Sequence, residues 1–255
     1  AIGLAESIAE VGGLDQEHLG DTFRANYRRE PWRGYASGPP TVFSKVEQQG
    51  VTYVEAAKTL YGGEGSFGNG AAMRIAPVGL FFYDDNGLYE KARLSATVTH
   101  AHPLGVDGAA VQARAVAQAV RLNPQEPFSA EAFLEGLLDT ARTGEMEEKL
   151  ARVGDAIRQD VPPQEAITTL GPGVAVHKSL PFAIYAFLRH PEAFEACLLC
   201  AALNGGDRDT LGAMACAISG AYLGAAAIPR AWRDKLENLE TIERLARRLA
   251  EVRRS

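Results

Sequence analysis

A glycine-rich stretch, GGEGSFGNGAAMR at residues 62–74, contains residue types that bind phosphate. Gly65, Gly68 and Gly70 permit a tight backbone path that leaves N–H groups exposed. An apolar, helix-like run begins directly after them, and unpaired amides at the N-terminus of a helix attract phosphate or carboxylate groups. Side chains between the glycines add hydrogen-bonding and stacking groups, namely Ser66, Phe67 and Asn69. The stretch predicts an anion-binding loop, and a glycine-rich turn that binds no ligand remains the alternative.

A second set of polar side chains stands in NGGDRDTLGAM, at residues 204–214. Asp207, Asp209 and Thr210 supply two carboxylates and a hydroxyl immediately before a run of small residues. Oxygen ligands of this kind bind Mg²⁺, Mn²⁺ or Ca²⁺. An aspartate is also a common N-cap, and the helix dipole stabilises a second acid in the first turn. The pattern therefore leaves a cation site and a helix cap as alternatives.

The cysteines offer less chemistry. Cys197, Cys200 and Cys216 are too few for a disulfide framework, which suggests a reducing compartment and a cytoplasmic protein. Cys197 and Cys200 match the C-x-x-C spacing of zinc and redox sites, but they lie in an Ala/Leu-rich helical run without a second cysteine pair. We interpret them as small buried thiols.

The elements that must position these side chains are helices. Apolar residues recur at helical spacing along nearly the whole chain, as with Phe23 and Tyr27 after a predicted N-cap at Asp15. The best candidate strand, VGLFFY at residues 78–83, is also predicted to be helical in this context. Strands do not alternate with helices, and there is no internal repeat. The sequence predicts one all-α domain over residues 1–255.

That organisation excludes two familiar uses of a glycine-rich loop. Residues 63–68 satisfy G-x-G-x-x-G, which occurs in dinucleotide-binding folds and in protein kinases. The dinucleotide fold requires a buried strand immediately before the glycines, whereas YVEAAKTLYGG predicts a helix that ends at Gly62. A kinase loop continues with valine at the position of Gly70, and the later kinase motifs are absent.

Composition and charge narrow the classes of partner. A net charge of −6 and a pI of about 5.5 argue against an extended nucleic-acid-binding face and are compatible with cation binding. The uncharged segment 210–229 contains G-x-x-x-G, but its Ala and Gly side chains insert weakly into a membrane. We predict that this segment is a buried helix packed closely on every side. The charged span 140–164 is predicted to be an exposed excursion.

Three stretches resemble, in this order, successive signatures of the ADP-ribosylglycohydrolases. They are GSFGNGAAMR (65–74), THAHPLGVDGAAVQA (99–113) and NGGDRDTLGAMACAISGAYLG (204–224), and PWRGYASG (31–38) echoes a fourth. The resemblance spans essentially the whole chain. Its spacing suits the ADP-ribosyl-acceptor hydrolase 3 branch, which cleaves serine-linked ADP-ribose and poly(ADP-ribose). The family implies an all-α fold, a dinuclear Mg²⁺ centre and hydrolysis at the anomeric carbon of the ribose distal to adenine.

The resemblance also implies roles for individual residues. Asp207, Asp209 and Thr210 match the family's C-terminal metal ligands for two Mg²⁺ ions, with Mn²⁺ as an alternative. His100 matches its substrate-contacting histidine, and Val174 in LGPGVAV falls where an apolar residue lines the adenine side. The family's loop around the diphosphate and distal ribose is matched by Gly65, Ser66, Phe67, Gly68, Asn69 and Gly70.

Other family features have no match in this sequence. The family takes further metal ligands from an N-terminal T-D-D-T motif, and this branch has an essential glutamate further upstream. Residues 1–7 resemble the helix that follows T-D-D-T, so we expect the catalytic acid upstream of Ala1 and a domain without its first helix and that segment. Glu6 is not assigned to this role, since acids are common on helix surfaces. His102 has no counterpart.

The residue patterns and the resemblance to the family together predict a Mg²⁺-dependent hydrolase that cleaves the glycosidic bond between ADP-ribose and an acceptor. The acceptor would be a protein serine, poly(ADP-ribose) or the acetyl ester of ADP-ribose. The alternative is a catalytically inactive ADP-ribose-binding or structural member of the same fold. We expect a monomer that binds ADP-ribose or an ADP-ribosylated protein or polymer, and neither nucleic acid nor a membrane.

Overall fold

The protein is all-α in the computed structural model, which describes residues 1–254. Sixteen α-helices occupy that range. They are α1 (Ile2–Val11), α2 (Gln16–Arg29), α3 (Gly38–Gln49), α4 (Tyr53–Lys58), α5 (Gly70–Arg74), α6 (Ala76–Phe81), α7 (Leu88–Thr97), α8 (Pro103–Ala119), α9 (Ala130–Leu138), α10 (Gly144–Arg158), α11 (Pro163–Leu170), α12 (Leu180–Arg189), α13 (Phe194–Leu203), α14 (Arg208–Leu223), α15 (Arg230–Arg233) and α16 (Leu239–Arg254). Short 3₁₀ turns cover Tyr61–Gly63, Val176–Lys178 and Ala225–Ala227. The predicted fold class is confirmed.

Local sequence signals account for several helix ends. Asp15 caps α2, as predicted, because its carboxylate accepts a hydrogen bond from the amide of His18 at 2.8 Å. Thr52 and Glu55 form a reciprocal capping box at the start of α4. Gly12 ends α1 in the left-handed conformation, with φ 69°. These signals lie within one turn of the helix ends that they determine.

Helix α8 runs between two hydrophobic clusters and belongs to both. Val106 and Ala110 pack into a cluster built by α1–α7, whereas Val111 and Ala115 pack into one built by α9–α14. Its alanines allow neighbouring helices to approach closely on both sides. The N-terminal end of α8 therefore lies where loops from the two parts of the chain meet.

The uncharged segment 210–229 is helical as far as Leu223, within α14, but it is not packed on every side, because Ala213 and residues 224–226 are exposed. Leu211, Met214 and Ile218 of that helix are fully buried. None of the helices within residues 1–254 has the length and apolar character that a membrane span requires. The VGLFFY segment lies largely in helix α6, so that prediction is also confirmed.

Two expectations about the course of the chain were wrong. Residues 140–164 are not an exposed excursion, because Met146, Leu150 and Val153 form a fully buried stripe along α10. The acidic residues that dominate this stretch occupy the opposite, solvated face. The helix predicted to end at Gly62 ends at Lys58, and a 3₁₀ turn with Tyr61 at φ 52° follows it.

Candidate functional site

The glycine-rich loop packs directly on the start of α8. Gly65 has φ 79°, and a Cβ there would lie 2.6 Å from the amide nitrogen of His102. Gly105, on the first turn of α8, would place a Cβ 2.5 Å from the carbonyl oxygen of Ser66. Any larger side chain at either position would separate the loop from the helix. Gly68 has no such crowding, since its nearest neighbours would stand at 3.4 Å and beyond.

A second segment, residues 174–176, pairs with the loop through the backbone. The amide of Asn69 donates to the carbonyl of Val174, and the amide of Val176 donates to the carbonyl of Phe67, both at 2.9 Å. These bonds form an isolated antiparallel bridge between Gly68 and Ala175. The structure thus brings Val174, whose side chain is 68% exposed, next to the glycine loop.

His100 lies beneath the loop. Its ring is buried, and a Cβ at Gly70 would lie 3.1 Å from the imidazole Nε2 atom. From Gly68 the same atom would be 3.6 Å away. Because Gly68 and Gly70 have no side chains, the Nε2 atom of His100 can approach the inner side of the loop.

Two residues that sequence reasoning missed fix the orientation and tautomer of His100. The Arg74 guanidinium donates to the hydroxyl oxygen of Thr99 at 3.0 Å, and that oxygen lies 2.8 Å from the Nδ1 atom of His100. Because Arg74 supplies the hydrogen on one side, we assign the hydroxyl hydrogen of Thr99 to Nδ1. The Nε2–H group of His100 then points towards the glycine loop as a donor.

Electrostatics keep this imidazole neutral. Burial, together with the positive charge of Arg74, lowers the pKa of His100 to about 3. Burial also lowers the pKa of Arg74 to about 10, which leaves its guanidinium charged at neutral pH. Arg74 is held by the carbonyls of Gly70 and Ser95 and lies 5.0 Å from the ring of Phe23. A fixed cation thus lies behind a neutral hydrogen-bond donor.

The acidic cluster at the start of α14 also faces the loop. Asp207 occupies the N-cap position, yet its carboxylate caps no amide of its own helix. One carboxylate oxygen instead accepts a hydrogen bond from the Asn69 side chain at 2.6 Å, and the same amide group lies 3.2 Å from the Ser179 hydroxyl. The Asp207 side chain therefore does not act as a simple N-cap, which was the alternative to a cation site.

The donor set partly suits a hard cation. Asp209 is exposed in the first turn of α14, and the buried Thr210 hydroxyl lies 3.7 Å from the sulfur of Met73. Two carboxylates and a hydroxyl are the oxygen ligands that Mg²⁺ prefers, but it takes about six. Within residues 1–254, no group of three or more His, Cys, Asp or Glu side chains is arranged to hold a metal ion.

Aromatic side chains border the outer side of the loop. Phe67 is 37% exposed, and its ring centroid lies 5.0 Å from that of His102 and 6.1 Å from that of His177. His102 also accepts the amide of Leu104 through Nδ1, so it caps α8 and supports Phe67 at once. An exposed ring held in this way is suited to stacking on a flat ligand.

Comparison with protein families identifies the family of this chain. The family profile described as ADP-ribosylglycohydrolase matches residues 1–255. The chain belongs to the ADP-ribosylglycohydrolase family. It is therefore assigned to the hydrolases that act on ADP-ribose linkages.

Individual relatives agree with the family assignment. ADP-ribosylhydrolase ARH3 of Mus musculus is 36% identical over 280 residues, covering 98% of this chain and 74% of the relative. The Homo sapiens protein of the same name is 36% identical over 279 residues, covering 98% and 76%. An uncharacterised protein of Archaeoglobus fulgidus is 31% identical over 254 residues, covering 98% and 77%. The predicted branch is confirmed by the identity to the ARH3 proteins.

A solved structure supports the fold independently. A chain titled "ADP-ribosylglycohydrolase-related protein complex" superposes with a TM-score of 0.76 and 26% sequence identity. The match covers 98% of this chain and 78% of that one. The helical architecture described above is therefore that of the family.

Proposed function

We propose that this ADP-ribosylglycohydrolase uses Mg²⁺ to cleave the bond between ADP-ribose and a protein serine, poly(ADP-ribose) or an acetyl group. The observation that carries the proposal is the hydrogen bond between Asn69 and Asp207. It joins the glycine loop, which would bind the diphosphate, to the oxygen cluster of α14. Diphosphate recognition and cation binding would then occur side by side.

The residues of the loop would bind and orient ADP-ribose. The Ser66 hydroxyl, whose oxygen already accepts the Gly68 amide, would donate its hydrogen to the diphosphate, and the Nε2–H group of His100 would add a neutral donor from below. Phe67 and Val174 supply exposed apolar surface for the adenine or ribose rings. Holding the ligand at several points would fix the position of its distal ribose.

Asp207, Asp209 and Thr210 would hold the cation. Asn69 uses one oxygen of Asp207 and leaves the other free to bind it. When bound, Mg²⁺ orients ribose hydroxyls and makes a bound water more acidic. The carboxylates would also stabilise the positive charge that develops on the ribose as the glycosidic bond breaks.

The decisive experiment compares metal dependence in two variants. We expect calorimetry to show tighter ADP-ribose binding by the wild type in Mg²⁺, and Asp209→Ala to lose that response while binding the ligand without metal. Asp155→Ala, which removes an exposed partner of Arg158 outside the site, is the matched control. An unchanged Mg²⁺ response in Asp209→Ala would reject the metal assignment.

An inactive ADP-ribose-binding protein is the second candidate. It is favoured by the incomplete set of charged metal ligands within the described residues. An assay of ADP-ribose release from an ADP-ribosyl-serine peptide separates the two candidates. Release that requires Mg²⁺ supports the hydrolase, whereas binding without release supports the second candidate. The cytoplasmic location and the monomeric state remain predictions.

A further inference from the structure

A cleft of about 390 Å³ opens at the far end of α8 from the glycine loop. It lies between the last turns of α8, the connection to α9 and the end of α14. Helix α8 has 17 residues and a rise of 1.5 Å per residue, so its two ends are roughly 25 Å apart. The cleft is therefore separate from the glycine loop and from the start of α14.

Two arginines line one wall of this cleft. Arg114 lies in α8, and Arg121 lies two residues beyond the end of that helix at Ala119. The Nε–H group of Arg114 is buried and has no hydrogen-bond partner among residues 1–254. Buried donors in folded proteins are nearly always paired, so this group is available to a bound acceptor.

The same wall carries a buried acceptor. The amide oxygen of Gln118, between the two arginines, is buried and has no partner in the described part of the chain. Gly136 of α9 leaves room for this amide, since a Cβ there would lie 2.2 Å from its nitrogen. The amide is thus enclosed by packing, and its oxygen can accept from a hydroxyl or N–H group of a ligand.

Aromatic side chains also line the cleft. The centroid of Phe128 lies 5.8 Å from that of Phe133 and 5.5 Å from that of Tyr222, and these two rings are tilted to that of Phe128 by 47° and 52°. Phe133 and Tyr222 are almost fully buried, so the half-buried Phe128 supplies the apolar surface that a ligand can reach. Glu126 at the exposed rim also lines the cleft, and its carboxylate accepts the side chain of Asn123 at 3.1 Å.

We propose that this cleft binds a small organic acid, with its carboxylate on Arg114 and Arg121 and a flat apolar body against Phe128. The planar guanidinium group matches a carboxylate through paired hydrogen bonds. The volume falls within the range of small-molecule pockets, about 300–1,000 Å³. The lining combines cationic and aromatic side chains, which favours an aromatic carboxylate over a sugar or a metal ion.

The probe for this site is 1-naphthoate, titrated by ligand-observed NMR against the full chain. We expect saturable binding that ADP-ribose does not displace, and binding of the neutral 1-naphthalenemethanol weaker by about tenfold. Arg114→Met keeps the aliphatic stem but removes the charge, and should weaken naphthoate binding by about tenfold or more. Arg158→Met, an exposed arginine on α10, controls for the loss of one positive charge.

A second variant protects the test against misfolding of the first. Ala132→Phe adds a large side chain to the cleft lining from α9 and leaves both arginines in place, and it should also abolish naphthoate binding. Three results would overturn the proposal: no saturable binding, displacement by ADP-ribose, or equal binding by both arginine variants. Equal competition by inorganic phosphate would show a simple anion site and would overturn the aromatic part. Since ADP-ribose binding is measured separately, these results do not depend on the proposed hydrolase activity.

Discussion

At the scale of single residues, the proposed recognition of ADP-ribose depends on the tautomer of His100. Thr99→Val removes the hydroxyl that bonds Nδ1 while keeping the side-chain volume, so the imidazole loses its fixed orientation. We expect ADP-ribose affinity to fall by about tenfold, or 1.4 kcal/mol, in calorimetry. Thr99→Ser keeps the hydroxyl and should bind nearly as the wild type does. Normal binding by Thr99→Val together with a loss in Thr99→Ser would show that the methyl group, and not the hydrogen bond, matters.

The depressed pKa of His100 predicts a pH dependence of stability. The pKa is about 3 in the folded protein against 6.5 in the unfolded chain, so the unfolded chain binds more protons between these values. The free energy of unfolding should therefore fall as the pH drops from 6.5 towards 3, by up to about 1.4 kcal/mol per pH unit from this residue. Urea titrations of His100→Gln should show a shallower fall. A slope equal to the wild type would contradict the assignment.

Sequence patterns predicted which residues belong to the candidate site better than they predicted which side chains those residues contact. The oxygen cluster at 207–210 and the glycines were recognisable because each pattern is local. Arg74 and Thr99 stand inside the quoted motifs, but nothing local shows that the arginine reaches the threonine 25 residues later. Likewise, Asp207 does not cap α14 because its carboxylate accepts a hydrogen bond from Asn69, a residue distant in sequence.

At the scale of elements, the contact between the glycine loop and α8 predicts unequal roles for neighbouring glycines. Gly62 and Gly65 both have positive φ, 76° and 79°, but only Gly65 has a backbone atom where its Cβ would stand. Gly65→Ala should weaken ADP-ribose binding by about tenfold or more, since the His102 amide cannot move without the start of α8. Gly62→Ala carries the same conformational cost of about 1 kcal/mol without the clash, and should bind normally.

Thermal unfolding and calorimetry of these two variants provide the measurement. Both substitutions should lower the melting temperature, but only Gly65→Ala should change ligand affinity. Similar affinities for the two variants would show that the loop does not depend on close packing against α8.

Helices were predictable as elements because their apolar spacing is local, whereas their environment was not. The charged sequence of α10 hides a buried stripe, and its start is anchored from another helix. Asp107 on α8 is fully buried and accepts the amides of Arg142 and Thr143 at 3.0 and 2.8 Å. The composition of α10 shows many charged residues, but it cannot show that Asp107, distant in sequence, bonds the start of this helix, or which face of the helix packs against the core.

At the scale of the whole molecule, the candidate site lies at the junction of the two hydrophobic clusters. The glycine loop belongs to the part of the chain that builds one cluster, whereas residues 174–176 and α14 belong to the part that builds the other. A single domain was predictable because no linker interrupts the chain. The central position of α8 was not predictable, because α8 and α14 are both rich in small residues and the sequence does not show which of them lies between the two clusters.

The shared helix predicts that both parts of the molecule unfold together. Leu19 and Leu150 are fully buried in different clusters, and replacing either with alanine should cost about 2–5 kcal/mol. Because α8 supplies side chains to both clusters, exposing one cluster also removes the packing of the other. Calorimetry should therefore show one transition in Leu19→Ala and one in Leu150→Ala, each shifted as a whole, with calorimetric and van't Hoff enthalpies in agreement. Saturating ADP-ribose should raise that single transition in both variants, since its site contacts both parts. Two resolved transitions, of which each substitution lowers only one, would show that the clusters are independent folding units and that α8 belongs energetically to one of them.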